Sequence, residues 1–183
     1  VKVLVGGALY LIVKSSYLVR NAFLIARDQV LKIEGEYSDM RVYVAITGDL
    51  FHYGHVAFFK RAKTFGKDLI VGVCSDADAS KYKRQPILSL TERVAVIEAC
   101  KYVDQVIPAA PSVTSAAFIQ KHNIDLVVAT KAYSSSVLQE YYSDPLRLNI
   151  LQLVDYTDSI STTQIIKRCH AIYSRTKGNL GQL

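Results

Sequence analysis

Two of the four histidines in the chain, His52 and His55, stand three apart and flank Gly54, where a strand-like run gives way to a helical pattern. Positions i and i+3 of a helical turn share a face. The unpaired N–H groups and the dipole at a helix start favour an anion there. Gly54 carries no side chain to hold a phosphate or a flat base away from the backbone. Two imidazoles at such a place can donate hydrogen bonds to a polyphosphate as charge moves onto a leaving pyrophosphate, which is electrostatic stabilisation of a transition state. The spacing alone equally allows one histidine to cap the helix and the other to pack. A metal pair is the weakest reading, because i,i+3 histidines without a nearby carboxylate or third ligand make a poor site. No metal ligand is assigned.

The surrounding pattern says what must position these rings. Arg41 to Thr47 is rich in β-branched residues and reads as a buried strand. After the turn Gly48 to Gly54, the segment His55 to Thr64 has helical spacing, and Gly66 fits a helix stop. Further strands are expected at Asp68 to Cys74, Val103 to Ile107, Asp125 to Thr130 and Ile150 to Val154. Helices are expected after the capping-box pattern Ser89-Leu90-Thr91-Glu92, over Ser115 to His122 and Ser136 to Tyr142, and from Ser161-Thr162-Thr163-Gln164 to about Ser174. Strands that are apolar on both faces and alternate with helices imply an α/β, Rossmann-like fold with a five-stranded parallel sheet. Ligands of such sheets bind beyond the carboxyl ends of the strands, at the topological switch point. The turn Gly48 to His55 and the turn Tyr156 to Ser161 both lie at that end.

At 183 residues, half of them apolar and 21% charged, the chain suits one well-buried domain and excludes disorder or coiled coil as its overall state. The net charge of +6 is compatible with a generic basic surface, with polyphosphate substrates or with an anionic membrane. The longest basic run is Lys81-Tyr82-Lys83-Arg84 and there is no aromatic single-strand RNA signature, so nucleic acid is not an expected partner. Cys74, Cys100 and Cys169 lack CxxC spacing and sit in apolar or helical stretches, which reads as buried reduced thiols in a cytoplasmic protein. Residues 1–40 read as an N-terminal extension, 41–176 as the catalytic domain and 177–183 as a tail. The apolar run Val3 to Val13 is too short to span a bilayer. Four basic and no acidic residues from Val1 to Arg27 fit organelle targeting, peripheral membrane contact through residues 1–33, or a segment packed on the domain.

The heptapeptide Asp49-Leu50-Phe51-His52-Tyr53-Gly54-His55 resembles the first signature of the cytidylyltransferase-like nucleotidyltransferases. Ser159-Ile160-Ser161-Thr162-Thr163 resembles their second. Between them Ile70 to Asp76, Tyr82-Lys83-Arg84, Thr91-Glu92-Arg93, Tyr102-Val103-Asp104 and Asn123-Ile124-Asp125 follow the family's order, so the resemblance runs from about Arg41 to Arg168. Within the family the chain is most similar to the ethanolamine-phosphate and choline-phosphate cytidylyltransferases.

The resemblance implies transfer of CMP from CTP to a small phosphorylated alcohol, with Mg²⁺ carried by the nucleotide and a homodimer as the assembly. It further implies that His52 and His55 contact the CTP phosphates and that Lys83 bridges the two reacting phosphates. Thr47, Gly48, Gly54, Arg93, Thr157, Ile160, Ser161 and Thr162 would line the nucleotide site. Asp49, Lys83 and Tyr133 would face the second substrate. On residue type alone, Lys83 also reads as a solvated charge. Arg93 also reads as a surface partner of Glu92 or Asp104, and Ser161 and Thr162 as an ordinary helix cap.

The chain departs from the family where a His-Gly-Asp-Asp type stretch is usual and Ala129-Thr130-Lys131-Ala132 stands instead. Tyr156 replaces a common arginine, Ser159 a glycine, and Ser112 an aromatic residue of choline-specific members. A quaternary ammonium wants an aromatic cage and a primary ammonium a carboxylate. Choline phosphate is therefore disfavoured, and ethanolamine phosphate lacks its obvious acidic partner. Two alternatives follow: a catalytically degenerate member that binds nucleotide or a partner, and an ATP-using relative.

Overall fold

The computed structural model describes residues 39–82, 84–155 and 160–180. The expectations for residues 1–38, Lys83, Tyr156, Thr157, Ser159 and the last three residues of the tail lie outside the described residues. All five strands are parallel, in the order β3-β2-β1-β4-β5. They are β1 (Arg41–Ile46), β2 (Asp68–Cys74), β3 (Gln105–Ala110), β4 (Leu126–Thr130) and β5 (Leu151–Val154). Helices α1 (Tyr53–Lys63), α2 (Asp76–Tyr82), α3 (Leu90–Glu98), α4 (Ala116–Lys121), α5 (Ser135–Tyr141), α6 (Ser143–Arg147) and α7 (Thr162–Leu180) connect or follow them. The expected fold class is the observed one.

Strand β1 is central because its residues can be buried on both faces. Val42 and Val44 enter one apolar layer with Phe59, Leu69, Val71, Val73 and Ile97. Tyr43 between them enters the other, with Ile70, Ile119, Val127 and Ala129. The alternation is the two-residue period of a strand, and helices on either side supply the partners. The chain leaves β1 towards β2 on one side and later returns to β4 on the other. The switch point therefore lies between the carboxyl ends of β1 and β4.

Several boundaries differ from expectation. β3 begins at Gln105, because Val103 N–H closes a turn onto Cys100 O at 2.9 Å. The Asp104 carboxylate is engaged by Leu69 N–H at 2.6 Å. Helices α2 and α6 carry no apolar period that would announce them. α2 starts instead from a local exchange in which Ser75 Oγ accepts from Asp78 N–H and donates to its carboxylate. α7 runs on to Leu180. None of the three cysteines forms a disulfide, but only Cys74 is buried; Cys100 is half-buried and Cys169 is exposed on α7, which corrects the expectation of three buried thiols. No helix among the described residues is long and apolar enough to cross a membrane.

Tyr43 and Gly72 form a tight lock between β1 and β2. The Tyr43 hydroxyl is buried with no hydrogen-bond partner, and burial pushes its ionisation far above the usual phenol range. A Cβ at Gly72 would fall 2.1 Å from that hydroxyl oxygen. Gly72→Ala is therefore expected to lower stability by about 1–3 kcal/mol through overpacking. Tyr43→Phe, which removes an unpaired buried hydroxyl, should be neutral or stabilising. Denaturant midpoints of the two variants check both signs.

Candidate active site

The turn after β1 is built for a close approach. Gly48 sits at φ +73°, and a Cβ there would meet Ile97 Cδ1 at 2.7 Å, so both conformation and space call for glycine. The chain then passes through Leu50, also at positive φ, and reaches His52 in an extended conformation as the N-cap of α1. His52 Nδ1 accepts the Gly54 N–H at 3.1 Å, and His55 Nδ1 accepts the His52 N–H at 3.2 Å. The two imidazoles thus form the capping box themselves, in the places usually taken by Ser or Thr and Glu or Gln. A backbone N–H can only donate. Each ring, when neutral, must therefore carry its proton on Nε2. Burial pushes the His52 pKa below the ordinary imidazole value and favours the neutral ring. The ring centroids lie 4.0 Å apart, and His55 stacks on Phe51 at 5.4 Å. Both histidines thus cap the helix with Nδ1, where the sequence allowed one to cap and the other to pack.

Both rings line a cleft of about 480 Å³ at the switch point. Thr47, Gly48, Asp49 and Gly54 line its β1 side, Ser161 and Thr162 its lid side, and Thr130, Tyr133, Tyr142 and Asp155 its β4–β5 side. The start of α7 is fastened across the cleft by Thr162 Oγ1, which donates to Asp49 O at 2.9 Å. Ser161 Oγ accepts the Gln164 N–H at 3.3 Å and so caps α7. Ile160 is outside the lining but closes on the turn: a Cβ at Gly54 would lie 3.3 Å from Ile160 Cγ2 and 2.9 Å from His52 Cε1. Gly54 is the gap through which the two distant segments meet. Among the described residues no group of three His, Cys, Asp or Glu is placed to hold a metal ion.

Two charged residues hold the site through buried hydrogen bonds, Asp49 at the cleft wall and Arg93 behind it. Arg93 is fully buried and absent from the cleft lining. Its guanidinium donates to Leu88 O at 3.2 Å, to Cys74 O at 3.0 Å, to Thr47 O and to the Asp76 carboxylate. The surface pairing with Glu92 or Asp104 is corrected: Glu92 caps Ser89, and Asp104 pairs with Lys63. A guanidinium with five donors can satisfy carbonyls from two strand ends and a loop at once, which offsets the cost of burying it. Asp49 is 5% exposed. Its carboxylate accepts from Ile87 N–H, from Leu88 N–H and from Arg84 at 2.7 Å. Burial opposes its charge, but the Leu88 and Ile87 amides and the Arg84 guanidinium outweigh burial, and its pKa falls below the usual carboxylate value.

Arg84, Thr130, Tyr142 and Asp155 also line the cleft and were not singled out from the sequence as site residues. Arg84 lay inside a matched tripeptide. Asp155 carried one signal: it follows the fifth strand directly, at the ligand-binding end of the sheet. Tyr142 carried none. It ends α5 and is brought in only by tertiary packing, with its ring centroid 6.0 Å from that of Tyr133.

The profile of the cytidylyltransferase-like family matches residues 47–168. The chain is 32% identical over 152 residues to the ethanolamine-phosphate cytidylyltransferase of Mus musculus, covering 82% of this chain and 38% of that one. It is 38% identical over 133 residues to the Arabidopsis thaliana ethanolamine-phosphate cytidylyltransferase, covering 69% of this chain and 32% of that one. To choline-phosphate cytidylyltransferase 2 of the same plant it is 33% identical over 141 residues, 74% of this chain and 46% of that one. The chain thus spans 32% to 46% of the length of these curated relatives. Among solved structures, the lipopolysaccharide core biosynthesis protein of Thermoplasma volcanium superposes with a TM-score of 0.52 at 25% identity, over 64% of this chain and 96% of that one.

Arg93→Met is expected to cost about 2–4 kcal/mol, since it strands buried carbonyls that share one donor group. Thermal or denaturant unfolding reads this. Asp49→Asn should cost about 1.5–3 kcal/mol at neutral pH, the worth of bonds to a charged group. The folded-state pKa of Asp49 is lowered, so its stabilisation is full above the unfolded value near 3.8 and is lost as pH falls through the folded value. The stability gap between the parent and Asp49→Asn should therefore narrow on acidification; a gap independent of pH would contradict the assignment.

Proposed function

The chain belongs to the cytidylyltransferase-like family, and from that membership we propose that it transfers CMP from CTP to a small phosphorylated alcohol of the ethanolamine-phosphate kind. The observation that carries the reading is the pair of Nε2–H donors held at one cleft mouth by backbone amides. In the reaction a phosphate oxygen of the acceptor attacks the α-phosphorus of CTP in line. The bond from α-phosphorus to the bridging oxygen breaks, and pyrophosphate leaves with that electron pair. A phosphate monoester dianion is already a competent nucleophile, so no covalent enzyme intermediate is needed. Catalysis is positioning plus charge stabilisation. His52 and His55 donate to the phosphates as negative charge grows on the leaving group. The α7 N-terminus adds N–H groups and the Ser161 hydroxyl, while the Thr162 hydroxyl holds the helix to Asp49 O. Mg²⁺ arrives with the triphosphate. Lys83 bridging the α-phosphate and the acceptor phosphate, Thr157 at the nucleotide and a homodimeric assembly belong to the same reading.

One observation favours a second reading. Ala129-Thr130-Lys131-Ala132 stands where the family resemblance leads one to expect a His-Gly-Asp-Asp type stretch, and function resides in the site and not the fold. On this reading the chain binds nucleotide or a partner without turnover. Pyrophosphate release with CTP, Mg²⁺ and a panel of phosphorylated alcohols separates the two: CTP binding without release from any acceptor favours the binding module. ATP outcompeting CTP in a binding titration would assign the chain to the ATP-using relatives.

The capping and chemical roles of the histidines separate by substitution. His52→Asn keeps a good N-cap acceptor and loses the Nε2–H donor. It should change stability by less than about 0.5 kcal/mol while cutting turnover about 100-fold or more. His55→Ala removes the partner of the His52 N–H, costs about 1 kcal/mol and should cut turnover to a similar extent. Full activity in a well-folded His55→Ala protein would sink the mechanism. Both are read by pyrophosphate release alongside thermal unfolding.

A further inference from the structure

The acceptor side of the cleft carries a carboxylate from an unexpected place. Thr130, Tyr133, Tyr142 and Asp155 line it, and the stretch after β4 contributes no acid. Asp155 follows β5, and its Oδ1 is 2.8 Å from Lys131 Nζ. The same two segments are joined again by Lys131 N–H donating to Val154 O at 2.8 Å. A carboxylate has a second oxygen able to accept, and the Lys131 ammonium holds the Asp155 carboxyl below the usual carboxylate range, so it stays charged.

Resting on the transferase reading above, we propose that Asp155 reads the cationic head of the acceptor, making a primary ammonium on the phosphorylated alcohol the favoured class. The sheet order supplies the geometry. The histidines follow β1 and Asp155 follows β5, with β4 between them. Two strand spacings place the strand ends roughly 10 Å apart. That suits a small acceptor whose phosphate lies towards the nucleotide and whose far end reaches the β5 edge. A primary ammonium has three N–H donors for a carboxylate, whereas a quaternary ammonium has none and wants an aromatic cage. The facing pair Tyr133 and Tyr142 supplies aromatic walls on one side only. Lys131 is the positioning residue: in this solvent-exposed pair, 58% and 87% exposed, it engages one oxygen of Asp155 and leaves the other to accept from the acceptor.

The test compares the full chain with Asp155→Asn, using CTP, Mg²⁺ and either ethanolamine phosphate or its uncharged analogue ethyl phosphate. The preference of kcat/KM for ethanolamine phosphate over ethyl phosphate should fall about tenfold in Asp155→Asn, through KM for the acceptor. Asp155→Glu should retain most of the preference. An unchanged preference overturns the assignment. So does a loss expressed mainly as a raised KM for CTP, which would place Asp155 at the nucleotide or its Mg²⁺. Absence of turnover by the parent enzyme counts against the transferase reading. Calorimetric titration of ethanolamine phosphate in the presence of CTP then decides the subsite: weaker binding by Asp155→Asn supports it, and equal Kd values overturn it.

Discussion

Two backbone N–H groups at the start of α1 constrain everything that happens in the cleft. The amides of His52 and Gly54 would be orphaned at an ordinary helix start, and here both are satisfied by imidazole Nδ1 atoms. This decides the tautomer of each neutral ring without a carboxylate behind it. It also fixes where the remaining N–H points. The helix start and the proposed chemistry therefore use the same two side chains, and neither ring is free to rotate away from the mouth of the cleft while the cap holds.

The rest of the site is fastened to that turn by long-range polar ties. Arg93 joins the ends of β1 and β2 to Leu88, and Asp49 draws Ile87, Leu88 and Arg84 onto the turn. Thr162 brings α7 down from the other side. These are buried or half-buried groups whose partners come from separate segments, so losing one leaves several others unsatisfied. The positioning of the histidines is thus a property of the network and not of the turn alone.

Much of this was legible along the chain. The β-branched runs at β1, β2 and β4 announced a buried parallel sheet, and its parallel order put the histidine turn and the turn ending at Ser161 at one end. Local chemistry spoke where it was local: Ser89 and Glu92 cap α3 as their spacing requires. What stayed hidden depends on contacts between segments far apart in the chain. Arg93 looked like a surface residue because an arginine on an amphipathic helix usually is one. Its burial follows from three carbonyls and Asp76 converging on it, and no window of sequence contains them. Tyr142 and Asp155 enter the cleft for the same reason. Helices α2 and α6 escaped notice because short, polar helices carry no apolar period.

The sheet order separates two groups of side chains that share one cavity. The histidines and Thr47 to Asp49 gather after β1 and Ser161 and Thr162 at the head of α7, while Thr130, Tyr133 and Asp155 gather after β4 and β5. Substitutions on the second side can accumulate without disturbing the cap or its ties. Ala129 and Thr130 sit on that side. An architecture of this kind lets descendants reshape one wall of the cavity by editing two adjoining loops, leaving the capped turn on the other wall inherited intact.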